Sequence, residues 1–340
     1  MRKALCVGID YYERGNCLRA CVSDADSIAN ALDRHEDGTK NFEIETLYAQ
    51  TFTDLVPMGI DPETEEIIYG QKIIGGESVT ARDLKCAVED LFDPDKNLDV
   101  ILFYFAGHGY CNANGGYLCA SDGEDLSLDY LMKLVSNSRA KSKILILDSC
   151  FSGSAGKLFR DHSSLPEDTV IMAACTDRGT AVDGCFTPLM VDALEGGASN
   201  LMGEVSPGSI YSYIDQALGA WDQRPVFKAN IESFVCLRKN EPGIKLNELR
   251  QITRIFPKPY EEKPLDPGYE SDKRDVVDEE FMKADPEKEA VFAILRKYAA
   301  HNLVVPVNAP YMYQAAVHFK SCKLTALGRF YWRLVRTNRI

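Results

Sequence analysis

The chain lacks what a membrane-spanning or secreted protein needs. None of its 340 residues belongs to an apolar run of the about 18 that a transmembrane helix requires. The stretch Ala4 to Ile9 behind Met1-Arg2-Lys3 is too short for a secretory leader and stops at Asp10-Tyr11-Tyr12-Glu13-Arg14, so it reads as a first strand. No Cys-x-x-Cys occurs. The eleven cysteines are odd in number and scattered, which excludes a disulfide framework and points to a reducing cytoplasm. Most should be small buried hydrophobes. No internal repeat is present. Carboxylates are missing from the last 51 residues: Ala290 to Ile340 carries eight Lys/Arg and no Asp or Glu, whereas Pro257 to Glu289 carries twelve acids and six bases. Since the whole chain stands at −13, Met1 to Phe256 holds −15. Charge thus divides the chain into an acidic body, a Pro-rich charged segment and a basic, aromatic end.

What is present is an alternation of buried strands and amphipathic helices. Continuous apolar runs at Lys3–Ile9, Leu98–Phe105, Lys143–Leu147 and Val170–Ala174 suit strands covered on both faces. Phe42–Tyr48 and Tyr117–Ala120 add shorter strands. Helices are expected from an N-cap at Ser23, from one at Thr80 ahead of Leu84, Ala87, Val88 and Leu91, and over Leu126–Val135, Thr187–Glu195 and Pro207–Leu218. Thr51 to Ser78, rich in Gly, Pro and acids, reads as a long loop with one short hairpin. Pro225–Phe227 and Ser233–Leu237 read as closing strands. The pattern predicts an α/β sandwich with a largely parallel sheet, whose ligands bind beyond the carboxyl ends of the strands. The expected division is a main domain over 1–239, a charged Pro-rich linker over 240–289 and a small basic C-terminal unit over 290–340.

Two candidate catalytic residues follow buried strands directly. His108 lies between Gly107 and Gly109, glycines that would let the backbone take positive φ and approach a substrate. Cys150 follows Asp148 and Ser149, an odd setting for a core thiol and a suitable one for a nucleophile with a base nearby. Adjacent parallel strands lie about 5 Å apart, so residues at their ends can meet.

The motifs Phe103-Tyr104-Phe105-Ala106-Gly107-His108-Gly109 and Ile144-Leu145-Ile146-Leu147-Asp148-Ser149-Cys150-Phe151-Ser152-Gly153 resemble the His and Cys motifs of the caspase/metacaspase superfamily. The order and the 42-residue separation agree. So do Ala4 to Tyr12, Leu18 to Ala25, Ala173-Ala174-Cys175 and Gln223 to Phe227, and the resemblance covers roughly residues 1 to 239. It implies an α/β/α sandwich of the caspase-haemoglobinase type and a cysteine endopeptidase working through an acyl-enzyme. Cys150 is the implied nucleophile, His108 the implied base and acid, and the backbone N–H groups of Gly109 and Cys150 the implied oxyanion hole. The chemistry needs no metal or organic cofactor. The resemblance to metacaspases places Asp24 and Asp148 in the S1 pocket, and two carboxylates there favour cleavage after Arg or Lys. As a structural alternative, Asp24 complements a helix dipole. A preference for Asp would need a cation in the pocket, for which Arg178 is the nearby candidate. Cys111 to Gly123 holds one carboxylate, Asp122, which speaks against a calcium site. Ser154 to Thr169 is a candidate loop for self-cleavage.

The basic end interleaves cations with rings, a composition suited equally to a phosphate-bearing ligand with a stacking base and to electrostatic docking on the acidic body with the rings simply packed. With such an appended unit the chain resembles bacterial caspase-like effectors of antiviral defence, some of which a nucleotide second messenger activates. The messenger classes implied are cyclic ADP-ribose isomers and cyclic oligonucleotides made by a partner enzyme. Candidate contacts are Tyr298, Tyr311, Tyr313, Lys320, Lys323, Arg329, Trp332 and Arg336. Protein substrates are the expected partners; a membrane and nucleic acid are not expected. Two further readings stand beside this one. The first is a processing protease for one dedicated partner, such as a pore-forming protein. The second is a catalytically silent caspase-fold regulator that binds nucleic acid through a winged-helix-like element near Thr325 to Val335.

Overall fold

The structure is a computed structural model that describes residues 1–60, 67–149, 151–152, 165–174, 185–218, 225–272, 276, 279–281, 283 and 285–340. It divides into two compact units, Met1–Asn200 with Glu204–Asn240, and Leu201–Gly203 with Glu241–Ile340.

In the first unit β1 (Arg2–Ile9) leads to α1 (Cys21–Asp33) and β2 (Glu43–Ala49). An antiparallel pair, β3 (Thr51–Ile60) and β4 (Ile67–Gly76), precedes α2 (Ala81–Leu91) and β5 (Val100–Ala106). Then come β6 (Gly109–Asn112), β7 (Gly115–Cys119), β8 (Asp125–Ser127), α3 (Leu128–Asn137), β9 (Ser142–Asp148), β10 (Phe151–Ser152) and β11 (Thr169–Ala173). The unit closes with α4 (Phe186–Asp192), β12 (Glu204–Val205), α5 (Pro207–Leu218), β13 (Val226–Asn230) and β14 (Arg238–Lys239).

The main sheet runs β13-β11-β9-β5-β1-β2, with β13 antiparallel to β11 and every other pair parallel. Period-two alternation along the strands sends side chains to opposite faces. Leu5, Val7, Phe103, Phe105, Leu145 and Leu147 join α2 and α3 in one core. Ala4, Cys6, Leu102, Tyr104, Ile144 and Ile146 join α1, α4 and α5 in the other. The architecture is therefore the expected α/β/α sandwich, and the uninterrupted apolar runs are strands buried on both faces.

Three local expectations differ. Thr51 to Ser78 is not mainly loop, for its two strands have ten residues each. The run Ser233–Leu237 is not a strand; the closing strand there is β14. Helix α1 begins two residues before Ser23, because its first amides are capped from a neighbouring strand end. The carboxylate of Asp10 accepts the N–H groups of Cys21 at 2.9 Å and Val22 at 3.4 Å, while the Ser23 hydroxyl donates back to the Ala20 carbonyl. This approach needs Gly8, where a Cβ would stand 2.4 Å from the Cys21 carbonyl oxygen. By contrast, Thr80 is the N-cap of α2 as expected, and with Asp83 it forms a capping box.

The second unit contains α6 (Leu246–Leu249), α7 (Ile252–Ile255), β15 (Lys263–Pro264), α8 (Pro286–Ala300), β16 (Val304–Val307), α9 (Met312–Val317), β17 (Ser321–Leu324) and α10 (Ala326–Arg336). Its antiparallel sheet runs β15-β17-β16. The segment 240–289 is not a bare linker. Its Ile244, Leu249, Ile252, Ile255, Phe256 and Leu265 pack into one core with Phe292, Leu295, Tyr298, Leu303 and Leu324. Acidic charge gives this segment the look of a linker, yet the apolar positions between its charges supply six of the sixteen buried residues of that core. Residues 241–340 hold fourteen acids and seventeen bases, so the folded unit is far less basic than its last 51 residues alone.

Candidate active site

His108 follows the carboxyl end of β5, and Asp148 ends β9. β5 ends at Ala106, which pairs with Asp148 at the end of β9, and the Gly107 N–H donates to the Asp148 carbonyl at 3.3 Å. Beyond that point Phe151 of β10 pairs with Gly109 of β6. The residues flanking Cys150 in sequence thus run beside Ala106 to Gly109, the segment that bears His108. Cys150 itself lies outside the described residues, as do Arg178 and residues 153–164 of the candidate self-cleavage loop.

His108 is half-buried and held from two sides. Its Nε2–H donates to the Asn16 carbonyl at 2.7 Å. Because a carbonyl only accepts, this bond assigns the proton to Nε2 and leaves Nδ1 as the proton-accepting nitrogen. The His108 backbone N–H donates to the Tyr12 hydroxyl at 2.7 Å, and the Tyr12 ring lies against the imidazole, 4.7 Å between centroids. Neither flanking glycine has positive φ, in contrast to the sequence expectation. Gly107 is needed for space: a Cβ there would meet the Tyr12 hydroxyl at 2.8 Å. Asn16 adopts the left-handed conformation, φ 60°, which turns its carbonyl within the loop after β1.

Around this centre the field is negative. Burial, then the nearby Asp148 and Asp10, push the Asp24 carboxyl up to about 6. Burial also raises Asp10, although the two amides it caps pull the other way. Cys21 sits among Asp10, Asp148 and Asp24, and burial together with these carboxylates raises its thiol well above the usual range. Among the described residues no cation is an influence on Asp10 or Asp24. Asp24 occupies the first turn of α1, so it complements the helix dipole and contributes to this acidic cluster at once. The Asp148 Oδ2 accepts a hydrogen bond from Thr187 Oγ1 at 2.6 Å, and Thr187 Oγ1 is also 2.6 Å from the Tyr104 hydroxyl.

Tyr12, Asn16, Asp10, Cys21, Thr187 and Tyr104 were not singled out from the sequence. Tyr12 and Asp10 lie within the quoted Ala4–Tyr12 motif, and Tyr104 within the His motif, so their position was visible and their contacts were not. Thr187 is set by tertiary packing alone. Asp122 accepts the Ala81 and Glu124 N–H groups, and among the described residues no three His, Cys, Asp or Glu side chains are grouped to hold a metal ion. No helix among the described residues is long and apolar enough to cross a membrane.

The eight candidate ligand residues of the second unit separate into two groups. Tyr298 is wholly buried and donates its hydroxyl proton to the carbonyls of Glu248 and Leu249 at 2.6 and 3.2 Å. Trp332 Nε1–H donates to the Phe256 carbonyl at 2.7 Å. Both of these candidate contacts thus hold a backbone carbonyl of their own unit. Arg329 donates to the Leu324 carbonyl and lies over the Tyr260 ring. Tyr311, Lys320, Lys323 and Arg336 are exposed, and Tyr313 is half-buried.

A family profile described as Caspase domain matches residues 1–232. Similar solved structures include caspase-1 from Spodoptera frugiperda, 11% identical over 70% of this chain and 90% of that one, with a TM-score of 0.48. Protein GSU0716 from Geobacter sulfurreducens is 17% identical over 71% of this chain and 97% of that one, with a TM-score of 0.47. No curated protein matches the chain.

Proposed function

Because the chain belongs to the caspase family, whose domain profile spans most of its length, and is at family level a cysteine-type peptidase, we propose that it is an endopeptidase cleaving after Arg or Lys through Cys150 and His108. The observation that carries this reading is the ordering of His108. Its Nε2–H is committed to the Asn16 carbonyl, so Nδ1 is the nitrogen that can take up the Cys150 thiol proton. The thiolate sulfur then attacks the scissile carbonyl. N–H groups of Gly109 and Cys150 donate to the developing oxyanion, a contribution of about 3 kcal/mol per donor in comparable sites. The imidazolium returns its proton to the leaving amine as the tetrahedral intermediate collapses to a thioester. Water, deprotonated by Nδ1, then releases the acid and restores the thiol.

The preference for a cationic P1 side chain is supported by the acidic cluster. A guanidinium set between Asp24 and Asp148 offsets the burial and the Asp148 charge that together raise Asp24 and can be bound bidentately. Fluorogenic peptides with Arg, Lys or Asp at P1, assayed with wild type and Cys150→Ala, test the reading. Cleavage after Arg that Cys150→Ala abolishes supports it; preferred cleavage after Asp, or full activity in Cys150→Ala, refutes it.

We further propose that a nucleotide second messenger bound by the second unit activates the enzyme. Lys258, Lys288, Arg296 and Lys297 of this unit pair with carboxylates. Lys320, Lys323, Arg333, Arg336 and Arg339 are exposed and form no ion pair among the described residues, which suits phosphate binding. Cyclic ADP-ribose isomers and cyclic oligonucleotides are the panel to test. Activation that survives Lys320→Glu with Arg336→Glu removes these residues from the site.

A further inference from the structure

Tyr104 lies within β5 and is among the largest fully buried side chains of the protein. Among the described residues its hydroxyl meets one polar partner, Thr187 Oγ1, and Thr187 is itself buried in the first turn of α4. The second contact of Thr187 Oγ1 is the Asp148 carboxylate. Direction in this chain follows from proton counting. A carboxylate only accepts, so Thr187 gives its single hydroxyl proton to Asp148 Oδ2, and the Tyr104 hydroxyl must then donate to Thr187. Burial, first, and then the nearby Asp148 raise Tyr104 well above its ordinary pKa and keep it a donor. Two buried hydroxyls on two elements therefore form a relay that ends on Asp148 Oδ2 at the sheet's carboxyl edge.

Packing does not require these hydroxyls. Phe in place of Tyr104 and Val in place of Thr187 would fill nearly the same volume, and apolar isosteres avoid the cost of burying polar atoms. What the pair adds is a directed, charge-assisted hydrogen bond to one carboxylate oxygen. That bond matters because Asp148 stands close enough to Asp24 and Cys21 to be felt electrostatically by both. Like charges brought together tend to rotate apart or to share a proton. A tether on Asp148 Oδ2 prevents the rotation.

We propose that Thr187, backed by Tyr104, is a positioning residue that fixes the Asp148 carboxylate for the basic P1 side chain and so sets the enzyme's charge selectivity. The inference rests on the assignment of Asp24 and Asp148 to the S1 pocket. The tether holds the second carboxylate in its binding orientation before substrate arrives, so that little rearrangement is needed when the cation enters.

The test compares peptides with Arg and with citrulline at P1. Citrulline keeps the shape of Arg and lacks its charge. The ratio of kcat/KM for the two peptides does not depend on how much enzyme is folded, which protects the measurement from losses in stability. Thr187→Val should lower the Arg-to-citrulline ratio about tenfold, the order expected for loss of one charge-assisted bond. The loss should appear as a higher KM for the Arg peptide, with kcat and the citrulline reaction little changed. Thr187→Ser should restore the ratio, and Tyr104→Phe should lower it by a smaller factor. An unchanged ratio in Thr187→Val overturns the proposal, and so does an equal loss on both peptides. If wild type itself fails to distinguish Arg from citrulline, the S1 assignment fails first and the proposal falls with it.

Discussion

Tyr12 holds His108 by two different atoms: its hydroxyl accepts the histidine's backbone N–H at 2.7 Å, and its ring lies 4.7 Å from the imidazole. The phenol fixes the backbone and the ring fixes the side chain. Tyr12→Phe removes the first contact and keeps the second. One neutral hydrogen bond is worth about 1 kcal/mol, or several-fold in rate where it orients a reacting group. The expected result is a several-fold fall in kcat at pH 7.5 with KM unchanged, read from steady-state kinetics on an Arg peptide.

Asn16 supplies the carbonyl that orders the imidazole, and it does so from φ 60°. Glycine and asparagine adopt this conformation at little cost, whereas a β-branched residue pays on the order of 1–2 kcal/mol. Asn16→Gly should therefore retain most activity. Asn16→Val should lose it by an order of magnitude or more, because relaxing the loop moves the carbonyl away from Nε2. Equal kcat in the two variants would detach this loop from catalysis.

The pH dependence follows from Asp24. Its folded-state pKa, pushed up to about 6, lies above the unfolded value. Between these values the folded state binds the extra proton, so the contribution of Asp24 to stability is fully present below the unfolded pKa and is lost as pH rises through about 6. Asp24→Asn should thus leave stability near wild type at pH 4 and raise it at pH 7.5. The expected gain is on the order of 1 kcal/mol, reduced by the solvent that reaches this half-buried group. Substrate affinity moves the opposite way: KM for an Arg peptide should fall as pH climbs from 5 to 7, and Asp24→Asn should flatten that slope. Thermal melts at the two pH values and a KM profile check both signs.

The strands that carry this site were legible because burial on both faces writes itself as unbroken apolar runs, as in Val100 to Ala106. His108 and Cys150 stood out because they follow such runs at their carboxyl ends. The partners of His108 did not stand out. Tyr12 and Asn16 are 96 and 92 residues away in sequence, and nothing in local pattern announces that a loop tyrosine accepts a distant amide. Thr187 was read as the start of a helix, which it nearly is, yet its hydroxyl serves a carboxylate on another strand. Charge density hid the second unit's first half, because an apolar residue every few positions among acids looks like a linker until its partners are in place.

Tyr298 and Trp332 give that unit a test of its own. Each sends a polar hydrogen to a backbone carbonyl of the segment 246–256, so each ties a later helix to residues that the sequence suggests are linker. Tyr298→Phe strips a wholly buried hydroxyl and leaves the Glu248 and Leu249 carbonyls without that donor. The Glu248 carbonyl keeps the Gln251 N–H as a donor, so the cost is that of one lost hydrogen bond, about 1 kcal/mol. Trp332→Phe should cost a similar amount for the loss of the Phe256 contact, with some packing lost as well. Urea denaturation followed by far-UV circular dichroism should show the second unit destabilised in both variants, while basal peptide hydrolysis by the first unit's residues persists. Were these rings ligand platforms, the substitutions would instead leave stability near wild type and weaken only activation by a nucleotide.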